Sequence, residues 1–301
     1  MDTPTPSLPP VCSYEGSDYQ SSFWEAGERR YEDEVEAIAL RRLSNRGGRL
    51  LLELGAGAGR NTPRYAKWER VVLLDYSRTQ LLQARQRLGE NQRYVYVTAD
   101  IYQLPFVNDL FDGATMIRTL HHMANPALAL SNVQQVLAAN ALFILEFANK
   151  RNLKSVARFL LRKQSWNPFD QDPVEFAALN FDFHPRYVRR LLAETGFKLE
   201  KQLSVSHFRA AWMKRRLPLG FLVALDSFLQ PSGAWCQYSP SVFSRARVVK
   251  TEGAAPDGDF FACPVCRHHL PEAQATQVCP GCGHTWEYRD GIYEFRPNPE
   301  S

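Results

Sequence analysis

The sequence predicts an α/β fold, a doubly wound and mainly parallel sheet of seven strands, followed by a small metal-binding module. Two observations carry this. Between residues 49 and 147 short apolar strands alternate with segments of helical periodicity, as β-α-β crossovers covered on both faces require. Near the end, two Cys-x-x-Cys pairs stand twelve residues apart, a spacing that lets two knuckles converge on one metal.

The elements follow in order. Within residues 24–43, Val35, Ile38, Ala39 and Leu43 recur at helical spacing, with acids early and arginines late as the helix dipole favours. Asn45, Gly47 and Gly48 end that helix. "RLLLEL" (49–54) reads as a buried strand and "RNTPRYAKW" (60–68) as a helix. "RVVLLD" (70–75) is a second strand, and "SRTQLLQARQRL" (77–88) a second helix with Ser77 as N-cap. "RYVYVTAD" (93–100) is the third strand and "LFDGATMIR" (110–118) the fourth. "PALALSNVQQVL" (126–137) is a helix with proline in its first turn, and "ALFILEF" (141–147) the fifth strand. Then the pattern changes. A basic helix, "RNLKSVARFLLRK" (151–163), leads to the Pro/Asp-rich "SWNPFDQDP" (165–173). A helix over 185–197 closes at Gly196, followed by the strand "KLEKQLSVS", a helical segment from Ala210 to Leu229 and a last strand, "SVFSRARVVK" (241–250).

These elements imply a leader over 1–22, a large domain over 23–250 with insertions near 150–185 and 205–240, a linker over 251–259 and a module over 260–301. A hydrophobic content of 45% with 23% charged residues is ample for a core. Charge is unevenly spread. Residues 1–149 carry 15 Lys/Arg against 17 Asp/Glu, residues 150–250 carry 18 against 7, a net +11, and residues 251–301 carry 3 against 8. "MDTPTPSLPP" lacks the basic and apolar regions of a signal peptide and reads as disordered. The most apolar stretch, "LPLGFLVALDSFL" (217–229), is too short to span a bilayer and holds Asp226. No transmembrane segment is expected, and a cytoplasmic location follows as the default.

"LLELGAGAGR" (51–60) runs from a strand into three alternate glycines, Gly55, Gly57 and Gly59. Missing Cβ atoms permit positive φ and let backbone N–H groups approach a ligand at the end of a parallel strand, where such sheets bind theirs. The order G-x-G-x-G after Glu53, with Arg60 in the sixth place, fails the G-x-G-x-x-G dinucleotide fingerprint, and no G-K-[ST] follows to make a P-loop. The stretch resembles the first motif of class I S-adenosylmethionine-dependent methyltransferases, [DE]-x-G-x-G-x-G. Further motifs follow in that family's order over residues 47–147. Asp75, with Tyr76, ends "VVLLD" where the family's acid binds the ribose hydroxyls. Asp100 in "TADIYQLPF" stands where its acid meets the adenine amino group, with Ile101 beside the base. "FDGATMIRTLHHMANPALALSNVQQVL" resembles the fourth-strand region of the subgroup that includes quinone-biosynthesis methyltransferases. The resemblance implies a Rossmann-like fold, S-adenosylmethionine as cofactor, and Glu53, Gly55, Ala56, Gly57, Gly59, Asp75, Tyr76, Asp100, Ile101 and Arg118 around it. Where the family has a Pro-Gly-Gly type turn before the fifth strand, this chain has Ala139-Asn140-Ala141, and Asn140 can supply the left-handed residue.

Methyl transfer from a sulfonium is an in-line displacement, so a general base is needed only for an acceptor that must lose a proton. Candidates are His121, His122 and His184, with Arg118 at the end of the fourth strand and Tyr14 and Tyr19 in the leader. Against each stands a purely structural duty; no catalytic residue is assigned from the sequence. The acceptor is expected to be a small molecule. An RNA methyltransferase, or a non-catalytic scaffold of the same fold, stays open.

"CPVC" (263–266) and "CPGC" (279–282) offer four thiolates, Cys263, Cys266, Cys279 and Cys282, which complete a zinc tetrahedron and leave no position for substrate. Gly283 supplies the glycine such a turn favours. The stretch through "HTWEYRDGIYEFRP" resembles the zinc ribbons that partner, or are fused to, tRNA and other methyltransferases. That resemblance implies a protein-facing surface, in cis or toward a partner, and the module's acidic balance argues against phosphate contacts. The basic middle segment, with aromatics such as Trp166, Phe176 and Trp212, fits several roles: a solvated face, a lid over a small acceptor, or an RNA surface. "MKRRLPLGFLVAL" could also touch a membrane surface.

Overall fold

Strand β1 (Leu50–Leu54) is buried along its whole length because it lies between two parallel neighbours, β2 (Arg70–Asp75) and β4 (Phe111–Met116). The computed structural model describes residues 8–12, 15–16, 29–251, 253, 255 and 258–296. The leader's remaining residues, including Tyr14 and Tyr19, the first residues of the expected 24–43 helix and four residues of the expected linker lie outside them.

From β1 the sheet grows outward through β2 to β3 (Tyr94–Thr98) and, on the other side, through β4 to β5 (Leu137–Ala148). The next neighbour is β9 (Ser241–Val248), antiparallel to both β5 and β8 (Phe197–Val205). The order β3-β2-β1-β4-β5-β9-β8 is the expected seven-stranded sheet. Winding reverses between β1 and β4, which opens a crevice beyond the carboxyl ends of those strands. Since β9 is antiparallel to β5 and to β8, both of the latter finish at that same edge.

Helices cover both faces. These are α1 (Arg30–Leu43), α2 (Arg78–Leu88), α3 (Pro126–Val136), α4 (Leu153–Leu160) and α5 (Pro185–Glu194), followed by α6 (Ala211–Arg216) and α7 (Leu219–Leu229). Ser77 caps α2 as expected, its hydroxyl accepting from Gln80 N–H. Pro218 separates α6 from α7 inside the single helical segment expected there.

Two expectations are corrected. Residues 60–68 form no helix, only a 3-10 turn at Thr62–Tyr65. Tyr65 and Trp68, three apart, both plug the core, and Trp68 fills the space beside Gly48 and Gly113, so one tight turn satisfies them. Just after the Pro/Asp-rich segment, strands β6 (Val174–Ala177) and β7 (Asn180–Asp182) make a hairpin too short and exposed to give an alternating signal. Asn140 does take positive φ (60°), at a register shift where β5 begins to follow β4.

The cysteine-bearing stretch joins the same sheet. Strands β10 (Asp259–Ala262) and β11 (His269–Pro271) pair with each other. Strands β12 (Gln277–Val278), β13 (Thr285–Arg289) and β14 (Ile292–Glu294) form a meander whose last strand lies parallel to β3, making ten strands in all. Phe261 stacks on Phe106 and packs against Phe295, so one apolar core runs through both parts. Arg267 adds hydrogen bonds of 2.8 Å to the carbonyls of Leu104 and Phe106. Among the described residues no helix is long and apolar enough to cross a membrane.

Candidate active site

The loop after β1 shows what each glycine is for. All three take positive φ, 65°, 54° and 71°. A Cβ on Gly55 would stand 2.1 Å from Thr119 Oγ1, and one on Gly59 would crowd Leu88 and Ala84 of α2. A Cβ on Gly57 would meet nothing nearer than 3.9 Å, because that residue faces open space. Two glycines thus serve close packing as well as the turn, and one fronts a cleft.

That cleft is lined by Glu53, Gly55, Ala56, Gly57, Asp75, Tyr76, Asp100, Ile101 and Arg118. Of the residues expected around a cofactor only Gly59 is absent, being turned against α2. Asp75 ties the wall together, its Oδ2 accepting from Gly57 N–H at 2.8 Å and its Oδ1 from Ser77 N–H at 2.9 Å. Burial pushes its carboxyl above the ordinary range, while those two N–H groups oppose the shift. Glu53 is buried, accepts from the Thr62 hydroxyl at 2.6 Å, and is pushed up to about 8 by desolvation. Asp100 accepts from Tyr102 N–H at 2.8 Å and is raised by burial too. Val11 and Cys12 of the leader, which belong to no motif, line the same wall.

Beyond Arg118 lies a buried charged cluster that sequence reasoning missed. Arg118, at positive φ (57°), donates from Nε to Glu36 Oε1 at 2.9 Å and from its backbone N–H to Glu146 Oε2 at 2.9 Å. Arg60 holds the other oxygen of Glu36 at 2.8 Å. Burial alone would raise Glu36, but the two guanidinium groups win and hold it at about 2. Arg209 acts electrostatically on the same acids, and its Nε and Nη2 are buried without a hydrogen-bond partner among the described residues. Ser206, at the exit of β8, is buried at positive φ (66°) with its hydroxyl unpartnered, and His121 Nδ1 is likewise unpartnered. Burial and then the charges of His122, Arg118 and Arg209 keep the His121 imidazole neutral. Asp182, near Arg209, is raised to about 6 by desolvation against that attraction. Strained backbone and unsatisfied donors thus gather where β4, β5 and β8 end, as they do at sites built for a ligand.

The histidine candidates separate. His122 lines the cleft and donates from Nδ1 to Leu179 O at 3.1 Å. His121 packs against it with 4.0 Å between ring centroids, the two rings tilted by 45°. His184 is buried away from the cleft and caps α5, its Nδ1 accepting from Arg186 N–H at 3.1 Å. Burial lowers it to about 4, with Arg151 adding to the effect.

The four cysteines converge. Their Sγ atoms lie within 4.8 Å of one another, with Cys263–Cys282 at 3.7 Å and Cys266–Cys279 at 3.5 Å. A tetrahedron with Zn–S near ~2.3 Å puts its sulfurs roughly 3.8 Å apart, so the donor set fits that ion. Both knuckles turn the same way: Arg267 (φ 63°) and Gly283 (φ 74°) follow the second cysteine of each pair. Each donates its N–H to the carbonyl of the first, Arg267 to Cys263 and Gly283 to Cys279, at 2.8 Å. Glycine is favoured there but not required, since Arg267 takes the same conformation as Gly283.

Residues 52–145 match the family described as a methyltransferase domain. The chain is 33% identical over 103 residues to a demethylmenaquinone methyltransferase of Clavibacter sepedonicus, covering 34% of this chain and 42% of that protein. It is 31% identical over 196 residues to an O-methyltransferase of Pyrenophora dematioidea, covering 59% of this chain and 67% of that protein. It therefore spans less than half of the first relative's length and about two thirds of the second's. In fold it is similar to a chain from the complex between the Haloferax volcanii Trm112 methyltransferase activator and a methyltransferase. That likeness has a TM-score of 0.55 and 14% identity, over 77% of this chain and 96% of that one. Glycine loop, acid-lined cleft, sheet order and sequence similarity agree: the chain belongs to the class I S-adenosylmethionine-dependent methyltransferases.

Proposed function

We propose that this protein transfers a methyl group from S-adenosylmethionine to a small-molecule acceptor held beside Arg118. The observation that carries the reading is the cleft itself, where Gly57, Asp75, Asp100 and Ile101 meet from three successive strand ends. Asp75 is the ribose ligand: each of its oxygens keeps a lone pair after accepting a backbone N–H. Asp100 meets the adenine amino group, Ile101 flanks the base, and Glu53, Gly55, Ala56 and Tyr76 complete the wall. When bound, the cofactor supplies an already activated methyl group, so the protein's share is positioning and exclusion of water. Arg118 is fixed by Glu36 and Glu146 at the cleft's rim. Arg209, His121 and Ser206 offer buried, unsatisfied polar atoms to an acceptor there. His184 is committed to its cap, which leaves His121 and His122 as the imidazoles beside the acceptor.

The four cysteines hold zinc in a closed, structural site, and the ribbon works in cis. Supporting the cis role, β14 already occupies the edge of β3, and the ribbon core is continuous with that of the large domain. A structural neighbour in which a methyltransferase is joined to an activator protein agrees with such a division of labour.

Calorimetric titration of the zinc-loaded chain with S-adenosylmethionine tests the reading. Saturable binding is expected, weakened roughly 10- to 100-fold by Asp75→Ala, as loss of charge-assisted hydrogen bonds implies. A folded protein that gives no binding heat overturns it and leaves a scaffold of the same fold.

A further inference from the structure

Two of the helical segments that leave the ligand-bearing edge expose large apolar side chains. In α4 the buried residue is Ser155, while Leu153, Leu160 and Leu161 just beyond its end are 66%, 70% and 65% exposed. In α7 the buried residues are Leu222 and Asp226. Asp226 is committed there, accepting from Tyr31 OH at 2.7 Å and His207 N–H at 2.8 Å. Its opposite face carries Phe221 (56% exposed) and, two turns on, Phe228 (80%), and Trp212 of α6 is 55% exposed. α7 also buries Leu222 and packs Leu219 and Val223 against the core, so it is apolar on both sides, and its outer apolar side chains, like those of α4, stay exposed.

The two surfaces belong together. α4 follows β5, α6 and α7 follow β8, and both strands end at the same edge. Leu153 N–H donates to Tyr238 O at 2.9 Å and Arg151 lies over the Tyr238 ring, which ties α4 to the loop after α7. Interleaved with the apolar residues are exposed Lys154, Arg158, Arg162 and Lys163, and on α6 Arg215 and Arg216. Apolar side chains between long cations match an interface of acyl chains beneath phosphates. A nucleic acid would match the charge but gains little from three exposed leucines, since bases stack on flat rings.

We propose that this edge docks on an anionic membrane surface, with Leu153, Leu160, Leu161, Trp212, Phe221 and Phe228 entering the headgroup boundary and the flanking Lys and Arg meeting lipid phosphates. The binding is peripheral and independent of the methyl-transfer reading.

Flotation of the zinc-loaded full chain with phosphatidylcholine vesicles, with and without phosphatidylglycerol, is the test. Binding should require phosphatidylglycerol and fall with added salt. Leu160→Ser/Leu161→Ser/Phe228→Ser should abolish it while leaving the melting temperature and S-adenosylmethionine affinity unchanged. Arg215→Ser/Arg216→Ser should weaken it roughly fivefold per charge removed. Three outcomes would overturn the proposal: folded wild type that ignores both vesicles, a triple-serine variant that still floats, or a wild-type dimer that the same variant dissociates, which would make a second copy the occupant.

Discussion

Glu36 faces inward on α1 between Arg118 and Arg60, and its ionisation is part of what holds the site together. Its native value of about 2 lies below the ordinary 4.5. The stabilisation is therefore fully present above the ordinary value and is lost as pH falls through about 2. Glu36→Gln should cost on the order of 3 kcal/mol at pH 7, and urea melts should show that difference shrinking toward pH 2. A difference that does not change with pH would mean the residue matters for packing alone. That Gly55, Gly57, Asp75 and Asp100 line one cleft was legible because strand ends place them there, a few residues from the motif that announces them. Glu36, Glu146, Ser206 and Arg209 were not. They meet across the fold, and an acid on an otherwise charged helix reads as solvated until its neighbours are known.

Elements were legible where period and punctuation agreed. β2 and α2 fall where expected, with Ser77 at the cap, because an apolar run and a capping residue mark them out. The turn at 62–65 was misread as a helix because Tyr65 and Trp68 satisfy both periods. Ser77 also separates two effects. Its hydroxyl caps α2 while its backbone N–H serves Asp75. Ser77→Ala should lower stability by about 1 kcal/mol in a thermal melt yet leave S-adenosylmethionine affinity unchanged, since only the hydroxyl is removed. A parallel loss of affinity would show that the cap itself sets the geometry of the Asp75 wall.

At the scale of the molecule, the sequence marked out a ribbon but not its place, since two- and three-residue strands carry no signal for a distant partner. The structure puts β14 against β3, with Phe295 N–H donating to Thr98 O at 2.8 Å. With zinc in the four-cysteine site as proposed, its removal by a chelator should therefore do more than loosen the knuckles. Hydrogen exchange should rise at the β3 amides and the melting temperature of the whole chain should fall. Unchanged protection at Tyr96 and Thr98 would mean that the meander holds its position without the ion. This pairing also sets an order of events during synthesis. β3 ends at Thr98 and β14 begins at Ile292, so at roughly 5–20 residues per second its outer edge waits on the order of 10–40 s for its partner to be made. Every expected cofactor residue has emerged from the ribosome well before then. A nascent chain stopped short of residue 292 would carry the cleft residues together with a bare strand, the form most open to pairing with the wrong neighbour.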